Sequence, residues 1–251
     1  MKNSRVPFFS VITSTHQRAP LLLRALQSLR AQTFQDFEVI VSADAMDAET
    51  GAVTAALLGE NDTFIKHNAG PGPAASRNVG LQCARGDWIV FLDDDDLFLP
   101  LHLQIMHAHA SQSKAHVLYS DYVLVTEDRK HPEQGLQSRA PMSLAGVPPA
   151  ALHVKNFIPN NALAFRRSLL EGMSFDSHLA SLEDWDFLLG VCDRSAPVYV
   201  PGGGAVVCKD YVNTGNRRGT QETSRDETLL ADFVHVYRRW PAPSEELRLA
   251  R

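Results

Sequence analysis

The stretch Trp88-Ile89-Val90-Phe91-Leu92-Asp93-Asp94-Asp95-Asp96, running on into Leu97-Phe98-Leu99-Pro100, sets four carboxylates on the tip of an apolar run. Adjacent like charges repel, and the cost falls only where water or a cation takes up the charge. Hard oxygen ligands at the carboxyl end of a buried strand suit Mg2+ or Mn2+ held between protein and a substrate's phosphates. A solvated acidic turn is the ordinary reading of a bare acidic pair. Four carboxylates behind a buried run favour the cation.

Upstream of this run, strand and helix patterns alternate. Phe8 to Ser14 is apolar and β-branched, as in a strand buried on both faces. Pro20 opens a helix to Gln32, with Leu22, Leu26 and Leu29 at helical spacing. Phe37 to Ser42 is a second strand. Asp47 to Glu60 is a helix with Val53, Leu57 and Leu58 inward, and Thr63 to His67 is a third strand. A helix from Pro73 to Ala84 is closed by Gly86, a residue type favoured after a last turn. The expectation is an α/β fold, a mostly parallel central sheet flanked by helices. Ligands of such sheets bind at the carboxyl ends of the strands, where the aspartates, Thr13-Ser14-Thr15 and the stretch from Ser42 to Asp47 all fall.

The second half is less regular. Val117 to Thr126 and Ala162 to Arg166 are expected strands, with a Pro- and Gly-containing loop from Glu127 to Pro149. Leu182 to Cys192 is an expected helix with acidic residues at its start, where they complement the dipole. Pro197 to Cys208 predicts two strands joined by a turn at Gly202-Gly203-Gly204, and Thr228 to Trp240 an amphipathic helix. Lys209 to Arg225 is polar.

Whole-chain numbers narrow the function classes. The 251 residues are enough for a core, and 44% hydrophobic against 21% charged content excludes disorder as the default. A net charge of −5 argues against nucleic acid as a partner. Cys83, Cys192 and Cys208 show no metal-ligand spacing, which implies reduced thiols in a cytoplasmic protein. No apolar stretch approaches the roughly 20 residues of a membrane span, and the N-terminus lacks a signal peptide's apolar core. Peripheral attachment at the inner face of a membrane stays open. His102, His107, His109 and His116 lack zinc-ligand spacing.

Taken in order, Ser14-Thr15-His16-Gln17-Arg18, Gln27-Ser28-Leu29, Gln32-Thr33, Phe37-Glu38-Val39-Ile40-Val41, Asn68-Ala69-Gly70, Ala75-Ser76-Arg77-Asn78-Val79-Gly80, Gly86 to Asp96 and Glu183-Asp184-Trp185 resemble the family 2 glycosyltransferases of GT-A fold. The likeness is dense from Phe8 to Pro100, patchy from Val117 to Leu189 and weak beyond. It implies an inverting enzyme that moves a sugar from a nucleotide-diphosphate donor, with a UDP-sugar foremost, to an acceptor hydroxyl on a glycan or lipid-linked acceptor in polysaccharide or glycan biosynthesis. It also implies three parts: residues 1–100 as the nucleotide-sugar-binding half, 101–215 as the acceptor and catalytic-base half, and 216–251 as a C-terminal helical tail.

The site residues follow from the same resemblance. Asp95 is expected as direct metal ligand, with Asp93 beside it, acting on the ribose or through water. Asp94 occupies the variable middle position and faces the nucleotide. Asp96 is the following carboxylate, or a cap for the Leu97 to Pro100 turn. Asp184 matches the catalytic base and Glu183 the acid before it. Thr13, Thr15, Asp44, Arg77 and Asn78 form the donor side, with Asp47 competing against Asp44 for the nucleotide base. Trp185 is a sugar platform or a core residue, and Asn160-Asn161 an acceptor wall or a turn. Lys209, Arg217 and Arg218 are lid candidates, against the favoured reading of solvated loop charge. The rival functions are an inactive nucleotide-sugar-binding module and a metal-dependent phosphatase.

Overall fold

The computed structural model describes residues 5–45, 47–70, 72–129, 136–210 and 222–251. The elements are β1 (Phe9–His16), α1 (Ala19–Arg30), β2 (Phe37–Ala45), α2 (Ala48–Leu57), β3 (Thr63–Lys66), α3 (Pro73–Cys83), β4 (Trp88–Phe91), β5 (Leu97–Phe98), α4 (His102–Gln112), β6 (Val117–Glu127), β7 (Leu136–Met142), β8 (Leu163–Arg166), α5 (Glu183–Arg194), β9 (Val198–Asp210), α6 (Glu222–Arg239) and α7 (Glu245–Ala250). The strands make one sheet in the order β3-β2-β1-β4-β8-β6-β9-β5, with β7 paired to β6. Its first four strands are parallel. Beyond them β8 runs antiparallel to both β4 and β6.

The parallel block forms because its strands are apolar on both faces and helices cover them. Phe9, Val11, Val39, Ile40, Val41, Ile89 and Val90 are all buried, and Leu22, Leu26 and Leu29 of α1 are buried too. Helix α2 differs from its expected face. Thr50 and Thr54 are its buried residues, Val53 and Leu57 pack at the core's edge, and Leu58 lies past the helix end. Asp47 caps this helix, accepting a bond from the Thr50 N–H at 2.7 Å, and that backbone bond holds its carboxyl below the usual range.

Three expectations for the chain's punctuation are corrected. The loop expected from Glu127 to Pro149 contains β7, which pairs antiparallel with β6 from Tyr122↔Met142 to Glu127↔Leu136. The ladder makes this strand, not its side chains, since residues 137–139 are exposed. Two strands were expected between Pro197 and Cys208, but β9 is continuous and parallel to β6, with a register shift opposite Ser120–Tyr122. Gly202 and Gly203, at φ 79° and 91°, absorb that shift as a bulge.

The third correction is Gly86. It does not close α3 through a left-handed turn, since Ala84 already caps that helix in extended backbone. Its reason is contact: a Cβ there would lie 2.5 Å from the Ser10 nitrogen of β1. Gly86→Ala is therefore expected to cost about 3 kcal/mol, the upper end of overpacking, because the obstacle is backbone. Urea unfolding measures it, and a loss below about 1 kcal/mol would show that β1 can retreat.

The second half packs on the same core. Trp185 of α5 is fully buried, donates its indole N–H to Leu152 O at 2.8 Å and meets Phe233 and Tyr237 of α6 edge-on. It is a core residue, not a sugar platform. Burial pushes the Cys192 and Cys208 thiols up to about 12. The α4 histidines are dispersed, His102 accepting from the Gly204 N–H and His107 stacked on Phe34. Among the described residues no helix is long and apolar enough to cross a membrane.

Candidate active site at the carboxyl ends of β1 and β4

Strand order creates the site. From β1 the chain winds outward to β2 and β3, then returns to place β4 on the other side of β1. Where the winding reverses, the connections diverge and leave a crevice at the carboxyl ends. β1 leaves through Thr15-His16-Gln17-Arg18 and β4 through Leu92-Asp93-Asp94-Asp95-Asp96. The Leu92 N–H bonds Ile12 O at 3.0 Å, and the Asp96 N–H closes a turn on Asp93 O at 3.0 Å. Among the described residues two non-glycine positions have positive φ, Gln17 at 50° and Leu182 at 63°. One adjoins the β1 exit and the other begins α5. Side chains held in that region carry strain of order 1–3 kcal/mol, which the surrounding structure must overcome.

Protein partners separate the four aspartates. Asp96 is buried and accepts from the Cys208 N–H at 2.8 Å and Asn161 Nδ2 at 3.1 Å. Burial, then the charges of Asp95 and Asp93, push its carboxyl well up. Asp96 thus ties the turn to β9, and Asn161 faces it. Asp94 is fully buried against Arg18, whose Nε lies 3.1 Å from Oδ2 and whose Nη2 holds Oδ1. Burial pushes Asp94 up to about 6 against the pull of Arg18. Asp93 and Asp95 keep 31% and 25% of their side chains exposed. These two, the expected metal residues, are the carboxylates open to the crevice.

Arg77 joins the two acidic motifs. Its Nη2 donates to Asp93 Oδ1 and its Nη1 to Glu183 Oε1, both at 2.7 Å, with 5% of the side chain exposed. Its guanidinium also lies 5.4 Å from the Phe175 ring centroid. Burial alone would pull its pKa down, but Asp93, Glu183 and Asp184 together raise it. At this burial the contacts form an internal ion network, not a surface pair.

Asp184 is left as the less encumbered acid of its pair. Its Oδ1 accepts from the Trp185 N–H at 2.7 Å, and Asn156 Nδ2 approaches Oδ2 at 3.5 Å. Burial, then the Glu183 charge, push its carboxyl up to about 6, against the pull of Arg77. Both acids lie in the first turn of α5, where the helix dipole favours their charge.

Of the residues expected on the donor side, Asp44 accepts from the Gly72 N–H at 2.8 Å and pairs with His16 Nδ1 at 2.7 Å. Asp47 is occupied at the α2 cap, which leaves Asp44 as the acid on the β1–β2 edge of the crevice. Thr13 and Thr15 are fully buried, and Thr13 Oγ1 has no hydrogen-bond partner among the described residues. Asn78 is placed differently from the rest. Its amide clasps the Phe175 backbone through bonds of 2.9 and 2.8 Å, so it braces the segment before α5. Lys209 is exposed on β9, while Arg217 and Arg218 lie outside the described residues.

Two arginines in the site carried no role in the sequence reading. Arg18 reaches Asp94 and Asp95, and Arg129 reaches Asp95 at 3.1 Å, Glu127 at 3.2 Å and Cys208 O at 2.8 Å. Arg18 closes a quoted motif, but Arg129 follows β6 with no pattern around it.

Compared with known proteins, the chain matches the model of glycosyl transferase family 2 over residues 10–172. The chain belongs to that family. A relative by sequence is the GalNAc(5)-diNAcBac-PP-undecaprenol beta-1,3-glucosyltransferase of Campylobacter jejuni, 32% identical over 177 residues. The match covers 68% of this chain and 55% of that protein, so the chain spans about half the length of this relative. Among solved structures it resembles Staphylococcus aureus TarS 1-349 in complex with UDP-GlcNAc, at TM-score 0.66 and 20% identity, over 96% of this chain and 68% of that one. It also resembles the mannosyltransferase PcManGT of Pyrobaculum calidifontis in complex with GDP-Man and Mn2+, at TM-score 0.66 and 18% identity, over 98% and 69%. The fold of this family 2 member is the GT-A fold expected from its motifs.

Proposed function

We propose that the chain is an inverting glycosyltransferase that moves a sugar from a nucleotide-diphosphate donor, with a UDP-sugar foremost, to an acceptor hydroxyl. One observation carries this reading. The aspartate turn and the acids of α5, far apart in sequence, meet across a single buried arginine, 2.7 Å from each side. A single displacement needs separate groups for leaving group and nucleophile, on opposite sides of the anomeric carbon. Asp93 with Asp95 serves the first role and Asp184 the second.

The base follows from its surroundings. The attacking hydroxyl must lose its proton as it bonds to the sugar, and a carboxylate near pKa 6 is charged at neutral pH yet basic enough to receive it. Arg77 holds Glu183, so Asp184 is the acid available to the acceptor. Asp44, Thr13 and Thr15 are assigned to the nucleotide, with Arg77 and Asn78 keeping the aspartates and the Phe175 segment in place.

The residues fit a divalent cation shared with the substrate. Among the described residues no three His, Cys, Asp or Glu side chains gather as a metal cage. One or two open carboxylates at a diphosphate site are instead what Mg2+ or Mn2+ takes, the phosphates and water completing its shell. Asp95, with Asp93, would hold it, and such an ion supplies charge neutralisation on the departing diphosphate. The PcManGT complex with GDP-Man and Mn2+ supports this choice. The Campylobacter relative's undecaprenol-linked substrate supports a lipid-linked glycan acceptor and work close to a membrane.

Calorimetric titration with UDP, GDP, CDP and dTDP, each with Mn2+ and with EDTA, tests the reading. One nucleotide is expected to bind with Mn2+ and weaken at least tenfold in EDTA, and Asp95→Asn is expected to erase that difference. Absence of binding by all four would sink the transferase.

A further inference from the structure

Two guanidinium groups converge on one oxygen of the expected metal ligand. Asp95 Oδ2 lies 3.3 Å from Arg18 Nη1 and 3.1 Å from Arg129 Nη1. Each arginine is anchored by its other nitrogens. Arg18 grips Asp94 through Nε and Nη2, and Arg129 holds Glu127 through Nε and Cys208 O through Nη2. Glu127 is held in turn by Arg24 through both oxygens, at 3.1 and 2.8 Å. The guanidinium is planar and rigid, so these anchors fix both Nη1 groups, and it is the Asp95 carboxylate that can turn away from them. Both side chains remain about a fifth exposed, at 23% and 21%, on the crevice side of a buried network.

This arrangement has a cost and a use. A carboxylate held by two fixed cations is a poor ligand for a third, because the incoming ion must displace charge already matched to it. The guanidiniums that Asp95 leaves need another anion in reach. A diphosphate arriving at the same crevice offers several charged oxygens to the Nη1 hydrogens, and the planar guanidinium pairs well with such oxygens. Resting on the transferase reading above, we propose that Arg18 and Arg129 form a cation pair that passes from Asp95 to the donor's diphosphate, freeing Asp95 for the divalent ion only when the donor arrives.

The pair then has two functions. In the free protein it keeps the acidic turn neutralised, which lowers the repulsion among Asp93, Asp94 and Asp95. With donor present it shares the negative charge that grows on the leaving group, the role preorganised cations play in phosphate chemistry. Metal and donor entry become coupled, and the coupling is reciprocal.

The test reads binding, not turnover. Mn2+ alone is titrated into the nucleotide-free protein and followed by electron paramagnetic resonance, and inorganic pyrophosphate is titrated calorimetrically in EDTA. Arg129→Gln is expected to bind Mn2+ about tenfold more tightly and pyrophosphate about tenfold more weakly, while Arg129→Lys, which keeps the charge without the fork, shifts by less in both. Arg18→Gln should move both affinities in the same directions. A shift in only one of the two titrations overturns the exchange, as does an equal shift in Arg129→Gln and Arg129→Lys, which would mark a packing role. Pyrophosphate has no nucleoside, so failure here leaves the nucleotide titration of the native protein standing as the separate test of the transferase.

Discussion

Asp184→Asn will bind nucleotide donor as the native protein does and transfer sugar about 10²- to 10⁴-fold more slowly, the range a positioned general base supplies. Asparagine keeps the shape and accepts the Trp185 N–H bond, but it cannot take the hydroxyl proton. The native rate should also carry the signature of this acid. Burial beside Glu183 sets its carboxyl at about 6, so the base is charged above that pH and protonated below it. The rate is expected to fall tenfold per pH unit on the acid side of about pH 6 and to level above it. Single-turnover kinetics at several pH values, with donor affinity measured in parallel, tests both. Near-native transfer by Asp184→Asn would move the base elsewhere.

Arg77→Met will unfold more easily, by about 3–5 kcal/mol, the cost of removing one partner from a buried ion network. Methionine fills much of the space but leaves Asp93 and Glu183 facing each other without the cation between them. For a chain of this size, each kcal/mol shifts the melting point by about 2–4 °C, so a drop of about 6–20 °C is expected. Arg77→Lys should recover part of it, since one ammonium cannot span both carboxylates as the guanidinium fork does. Urea and thermal unfolding give the two values. A loss below about 1 kcal/mol would mean that water reaches the pair and solvates it.

The different legibility of these residues has a physical source. The aspartate turn could be read because its signal is local: Trp88 to Leu92 is buried throughout, and charge follows at once. The acids of α5 could be placed because a helix start favours carboxylates wherever it lies. Other residues kept more than one meaning in sequence. Asp47 competed with the favoured Asp44 until the structure placed it at the α2 cap and Asp44 beside His16 and Gly72. Trp185 could have faced a sugar, and only the approach of Leu152 O and Phe233 turned it inward. β7 was invisible because its polar residues become a strand only by hydrogen bonding to β6. β9 was split in sequence because glycines that end a strand and glycines that bulge one look alike.

By itself, then, the sequence determined the parallel block, the acidic tip of β4 and the acidic start of α5. Each depends on burial or dipole effects acting within about ten residues, and local composition records such effects. The tertiary structure alone decided which partners the acids of the site meet. That choice depends on cations arriving from distant positions: Arg18 from 76 residues before Asp94, Arg129 from 34 residues after Asp95, and Arg77 across 106 residues from Glu183. Charge pairing acts over a few ångströms in space, and chain distance has no bearing on it.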